Sequence, residues 1–131
     1  MARMLLLSVP EARVIKSFRD LTLWHRAVDL AVRIYAETGK FPASEKFGFI
    51  SQIRRSAVSI PSNIAEGKAS GGQSYRRHLK IALGSEAELY TQIELARRLK
   101  MLSDADADDV LKRLAEVGRM MTALLKALPR T

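Results

Sequence analysis

Gln52-Ile53-Arg54-Arg55-Ser56-Ala57-Val58-Ser59-Ile60-Pro61-Ser62-Asn63-Ile64-Ala65-Glu66-Gly67 sets two rules of helix chemistry against each other. Ile50, Ile53, Ala57, Ile60 and Ile64 recur at spacings of three and four, the mark of a buried helical face. Pro61 has no N–H to bond the carbonyl of Ala57, so a kink or a break is expected there. On the other side Arg55, Ser59 and Asn63 follow at steps of four, with Glu66 three further on, and these side chains line one polar stripe.

Working outward, the pattern predicts three more helices. The first is expected from near Thr22, as cap, to Thr38, with Gly39 as terminator and Trp24, Val28, Ala31 and Tyr35 as its inner stripe. The second starts with Ser44 as cap and ends at Gly67, and Lys68-Ala69-Ser70-Gly71-Gly72 reads as a loop. The third runs from about Gln73 to Met101 with Tyr75, Leu79, Ala82, Glu86, Leu89, Ile93 and Ala96 facing inward. Ser103 caps the fourth, where Asp104, Asp106, Asp108 and Asp109 complement the positive end of the helix dipole better than they would hold a metal. Val110, Leu114, Val117, Met121, Leu124 and Leu128 form its stripe, with Leu111, Gly118 and Leu125 in a second line. The expected architecture is all-α, an up-and-down four-helix bundle with a proline-kinked second helix over residues 18–131, behind a disordered tail over residues 1–17.

Two helices are apolar beyond what one neighbour covers. Ile81, Leu95 and Leu102 lie off the main stripe of the third helix but on one line, with Ser85 and Glu88 between them. Self-association is one explanation of that excess and a broad monomer core is the other.

The 131 residues suffice for one core but not two, and they contain no cysteine, which removes disulfides and thiolate chemistry and makes a reducing cytoplasm the expected setting. Met4-Leu5-Leu6-Leu7 is too short for the apolar core of a signal peptide, and charged residues interrupt every helical segment, so no membrane span is expected. The formal charge of +8 precedes the last helix: residues 1–102 hold 17 Lys or Arg against 9 Asp or Glu, and residues 103–131 hold 5 of each. From Arg54 to Lys80 six cations (Arg54, Arg55, Lys68, Arg76, Arg77 and Lys80) stand against Glu66 alone, which favours a polyanionic partner.

The Gln52 to Gly67 stretch resembles the signature of the four-helix-bundle proteins encoded by intervening sequences of bacterial 23S ribosomal RNA genes. Phe18-Arg19-Asp20-Leu21-Thr22-Leu23-Trp24 looks like that family's start of helix one, and Phe41-Pro42-Ala43-Ser44-Glu45-Lys46-Phe47-Gly48 like its turn into helix two. Ala82-Leu83-Gly84-Ser85-Glu86-Ala87-Glu88-Leu89 is similar to its helix-three motif, except that Glu86 stands where a leucine-like residue is usual. The resemblance implies a homo-oligomeric ring, a pentamer. The related accessory variability determinant proteins of diversity-generating retroelements share this architecture by resemblance, and there the implied partner is a reverse transcriptase with its RNA.

Catalytic constellations are largely missing from the sequence. Di-iron bundles need Glu-x-x-His pairs on inner faces, whereas His25 and His78 are the only histidines and Tyr75 occupies the position three before His78. Arg19 and His25 resemble the Arg-polar-x4-His spacing of a helical ribonuclease superfamily, the HEPN domains, which leaves ribonuclease activity as a remote alternative. Neither an enzyme nor a cofactor is expected.

Arg55, Ser59, Asn63, Glu66, Ser85 and Glu88 are expected to form a structural polar network that satisfies the carbonyl freed by Pro61, with Arg55 paired to Glu88. Lys68, Arg76, Arg77 and Lys80, together with Arg97, Arg98 and Lys100, are the candidate nucleic-acid-binding residues. The expectation is a non-enzymatic oligomer that grips the RNA backbone, and the rival is an adaptor for a reverse transcriptase or another protein.

Overall fold

A computed structural model describes residues 15–130. Four helices, α1 (Thr22–Thr38), α2 (Ser51–Ser70), α3 (Gly72–Arg98) and α4 (Asp104–Ala127), alternate in direction, and no strand occurs among the described residues. Sequence neighbours pack side by side and α1 closes against α4, which makes the up-and-down bundle. Its core is aliphatic: Leu30, Ile34, Ile53, Ile60, Ile64, Leu79, Leu89, Ile93, Leu114 and Met121 are fully buried. No helix among the described residues is long and apolar enough to cross a membrane.

α2 runs through Pro61 without a break. The proline ring is buried beside Ile60 and Ile64, so its apolar surface joins the core, and its steric demand falls on Ala57, the smallest side chain of the stripe.

Several boundaries differ from the sequence reading. Thr22 is the first residue of α1 but does not cap it. Ser17 instead caps a 3-10 turn over Phe18–Asp20, in a capping box whose return partner is Asp20. Of the tail expected over residues 1–17, residues 1–14 lie outside the described residues. Ser44 makes no cap either, since Ala43–Glu45 forms a 3-10 turn and Lys46–Ile50 a π-turn that leads into α2. The loop expected over Lys68–Gly72 is mostly helix: α2 continues past Gly67 to Ser70, and Gly71 and Gly72, at φ 73° and 56°, turn the chain straight into α3.

α3 stops at Arg98, not Met101, in a Schellman motif. The N–H of Met101 donates to the carbonyl of Ala96 (2.9 Å), that of Lys100 donates to Arg97 (3.0 Å), and Lys100 takes the left-handed position at φ 62° where glycine is usual. Ser103 caps α4 as its position predicts, accepting from the N–H of Asp106 at 3.1 Å. The inner face of α1 is Leu23, Ala27, Leu30, Ala31 and Ile34; Ala31 of the expected stripe is buried and Trp24 packs at the core edge, but the centre of the face lies one residue earlier, about 100° around the helix. Tyr35 falls outside the core and remains partly exposed, with the guanidinium of Arg54 lying over its ring at 4.4 Å.

Candidate functional site

The polar stripe of α2 meets α3 in register. Ser56 Oγ donates to Glu88 Oε1 (2.8 Å), Ser59 Oγ lies 2.8 Å from Ser85 Oγ, and Glu66 Oε2 lies 3.2 Å from His78 Nε2. Each step up α2 is matched by the same step down α3, as antiparallel helices require. Asn63 Nδ2 donates to the carbonyl (2.8 Å) and the hydroxyl (3.0 Å) of Ser59 and so joins the seam. Nδ1 of His78 faces the carbonyl of Ser74 at 2.8 Å. Five of the six expected network residues therefore lie on this seam.

Arg55 does not. It is exposed and makes no ion pair among the described residues, and Ser56, 100° further round the helix, takes Glu88 in its place. Nor does the network reach the carbonyl of Ala57, because Asn63 is turned onto Ser59. Ser56 and His78 were missed in the sequence; Ser56, three before Ser59, sits on the same face and could have been found by that spacing.

The predicted cations separate into two groups. At the end of the bundle where α3 begins and α4 ends, Gln73, Arg76, Arg77, Lys80 and Arg130 line an open groove of about 370 Å³ with no carboxylate among its walls. Arg76 has a second task, since its guanidinium donates to the carbonyls of Leu125 (2.9 Å) and Leu128 (3.3 Å) at the C-terminus of α4, where the helix leaves acceptors unpaired. Arg77 and Lys80 are exposed and form no ion pair among the described residues, so their charge faces solvent. Lys68 lies in the last turn of α2 and outside the groove. Arg130 and Gln73 enter only through tertiary structure, which sequence spacing did not reveal.

Arg97, Arg98 and Lys100 lie about 30 Å away along α3. Arg97 is held by Glu94 and by Asp108 (3.3 Å), Arg98 reaches Glu94 at 3.4 Å, and Lys100 ends the helix. Hydrogen bonds from Arg97, strong enough to outweigh partial desolvation, hold Glu94 below the usual carboxylate range. Arg97 and Arg98 of this second group are thus engaged by acids, Lys100 forms no ion pair among the described residues, and the group is not continuous with the first.

Three of the four acids opening α4, Asp106, Asp108 and Asp109, are engaged across the bundle. Arg33 bonds Asp109 (2.5 Å), Asp106 (3.2 Å) and the buried Glu37 (3.2 Å), tying α1 to α4. No cluster suited to a metal occurs among the described residues. Nε2 of His25 donates to the carbonyl of Arg19 (2.8 Å), while the Arg19 guanidinium covers the ring of Phe18 at 4.6 Å.

Of the apolar line on α3, Ile81 and Leu95 are exposed (47% and 46%) and Leu99 joins them, but Leu102 is core. On α4 the second line of Leu111 and Leu125 packs at the core edge.

The family model described as 23S rRNA-intervening sequence protein matches residues 19–123. A solved structure, a protein of unknown function from the S23 ribosomal protein family of Bacteroides thetaiotaomicron, is similar with a TM-score of 0.73 at 22% identity, covering 80% of this chain and 96% of that one. That likeness supports the fold. No curated protein sequence matches the chain.

Proposed function

The chain belongs to the 23S rRNA-intervening sequence protein family, and we propose that it is a non-enzymatic, cytoplasmic, homo-oligomeric protein that binds RNA through the phosphate backbone. The observation that carries this reading is the carboxylate-free groove of Arg76, Arg77, Lys80 and Arg130. Cations aligned without counter-charges suit a polyanion and carry no means of reading base edges, so binding should be strongly salt dependent and weakly sequence specific. The exposed Ile81 and Leu95 on α3, with Leu99 at its C-terminal cap, are the surface through which copies would associate, and a pentameric ring would repeat the groove by symmetry.

Titration of a labelled structured RNA at 50 and 200 mM salt tests the grip. The expected result is a steep loss of affinity at the higher salt, and a shallower slope for Arg77→Glu with Lys80→Glu. Affinity indifferent to salt, or no binding, transfers the role to an adaptor for a protein partner such as a reverse transcriptase. Light scattering tests the assembly, for which five times the chain mass of 14.6 kDa is expected.

A further inference from the structure

The π-turn before α2 presents an aromatic ring to solvent. Phe49 points inward and stacks on Phe41 at 6.3 Å, which leaves Phe47, two residues earlier, 91% exposed. Tyr35 and Val58, 45% and 41% exposed, line the groove beside it, so Phe47 belongs to an apolar patch of the kind that marks a binding surface. The groove, of about 480 Å³, is floored by Ile50 and Val58 and walled by Tyr35, Phe47 and three cations, Lys46, Arg54 and Arg55. None of its walls is a carboxylate. Arg54 is already fixed in place: it lies over the Tyr35 ring, with Nε donating to Thr38 Oγ1 at 2.9 Å and its terminal nitrogen donating to the carbonyl of Tyr35 at 3.3 Å. Arg55 forms no ion pair among the described residues, and Lys46 Nζ stands 5.6 Å from the centre of the Phe47 ring.

We infer that this groove takes an unpaired nucleobase of a single-stranded RNA segment, stacked on Phe47, with the flanking phosphates on Lys46 and Arg55. The inference rests on the RNA-binding reading above and adds to it a preference for unpaired bases. An aromatic face next to unneutralised cations is the combination that single-strand binding uses, because every base offers a π-face and every linkage a negative charge. Charge complementarity decides the occupant: the walls bring three cations and no carboxylate, which calls for an anion. A nucleotide brings the opposite sign.

The test compares a labelled 12-nucleotide single strand with its duplex, measured by fluorescence anisotropy on the full chain as wild type, Phe47→Ala and Phe47→Trp, with the mass of each followed by light scattering. Phe47 is exposed, so the variants retain the core. Phe47→Ala should weaken the single strand about ten-fold and leave the duplex nearly unchanged, and Phe47→Trp should restore single-strand affinity. Equal single-strand affinity of wild type and Phe47→Ala overturns the inference while the salt-dependent grip stands. No RNA binding by the wild type overturns both. A change of mass in Phe47→Ala assigns the groove to a second copy and overturns it as well, as does Phe47-dependent binding of an acidic peptide but not of RNA.

Discussion

The carboxylate of Glu86 lies over the bare backbone of Gly118, where α3 meets α4, so that a Cβ added at Gly118 would collide with it. At Gly67, by contrast, a Cβ would come within 3.0 Å of His78 Cβ and Tyr75 Cδ1 and 3.3 Å of the Tyr75 carbonyl. The difference lies in what can move. Glu86 can swing its flexible end into water, whereas the atoms facing Gly67 are rooted in the backbone of α3. Gly118→Ala should therefore keep most of the helix-propensity gain and stabilise the fold by about 0.5–1 kcal/mol. Gly67→Ala should destabilise it by about 1–2 kcal/mol, because overpacking forces α2 and α3 apart. Urea denaturation of the two variants compares them directly, and a loss of stability in Gly118→Ala would show that Glu86 is held in place.

Burial raises the pKa of Glu86, so the folded chain takes up this proton more readily than the unfolded chain does. For a raised carboxylate pKa, the ionised form is the unfavourable one: its penalty is absent below the unfolded pKa and complete once pH exceeds the folded pKa. Glu86→Gln should thus be the more stable protein at pH 7, by a few tenths of a kcal/mol, since water still reaches the group and screens it. Below the ordinary carboxylate range that advantage should vanish. Melting curves from pH 3 to 8 would reveal the convergence, and parallel curves would exclude it.

Arg33 is the reverse case, a charge the fold requires. Burial opposes it, but hydrogen bonds to Asp109 and Glu37 outweigh burial and raise its pKa. Replacing it by methionine strands the buried Glu37 with only Lys40 at 3.5 Å, and should cost about 2–4 kcal/mol. Asp109 reports on the same cluster. Hydrogen bonds from Arg113 and then Arg33 lower its pKa, so its contribution is present above the unfolded pKa and is lost as pH falls through the lower folded value. Arg33→Met should accordingly flatten the acid limb of the stability profile as well as lower its plateau.

What the sequence made legible follows the physical range of each signal. Periodicity of three and four reports a face, so the four helices, the Ser59–Asn63–Ser85 seam and the Ser103 cap could be read from spacing alone. It fixes rotation only to about one residue, and the two errors of that size, Tyr35 for Ile34 in the core and Arg55 for Ser56 on Glu88, each amount to a 100° turn. Groupings made by distant segments were beyond reach: Arg130 beside Arg77, Arg33 beside Asp109, and Tyr35 beside Phe47 each need the bundle closed first. The loop expected at Lys68 failed for another reason. Composition suggested flexibility, but two glycines at positive φ suffice to turn the chain, and the residues before them remain helical.

Lys100 occupies the left-handed position that closes α3, a conformation costly for a residue with a Cβ. Lys100→Gly should raise stability by about 0.5–1 kcal/mol while leaving RNA affinity nearly unchanged, because this end of α3 lies about 30 Å from the groove of Arg77 and Lys80. A large loss of RNA affinity would return this end of the bundle to the binding surface.

Arg76 and Arg77 are sequence neighbours with opposite roles, and the groove reading depends on separating them. Arg76 closes the C-terminus of α4 by donating to Leu125 and Leu128, so Arg76→Met leaves half-buried carbonyls without a donor and should cost about 1–2 kcal/mol in stability. Arg77 points its charge into solvent at the groove, and Arg77→Met should leave the unfolding midpoint within about 0.5 kcal/mol of wild type. Its effect should appear in RNA binding, as weaker affinity on every sequence and a salt slope reduced by about one phosphate contact. Unfolding and binding measured on the same two variants resolve the roles. If Arg77→Met binds RNA with unaltered affinity and slope, the groove is not where the backbone is held.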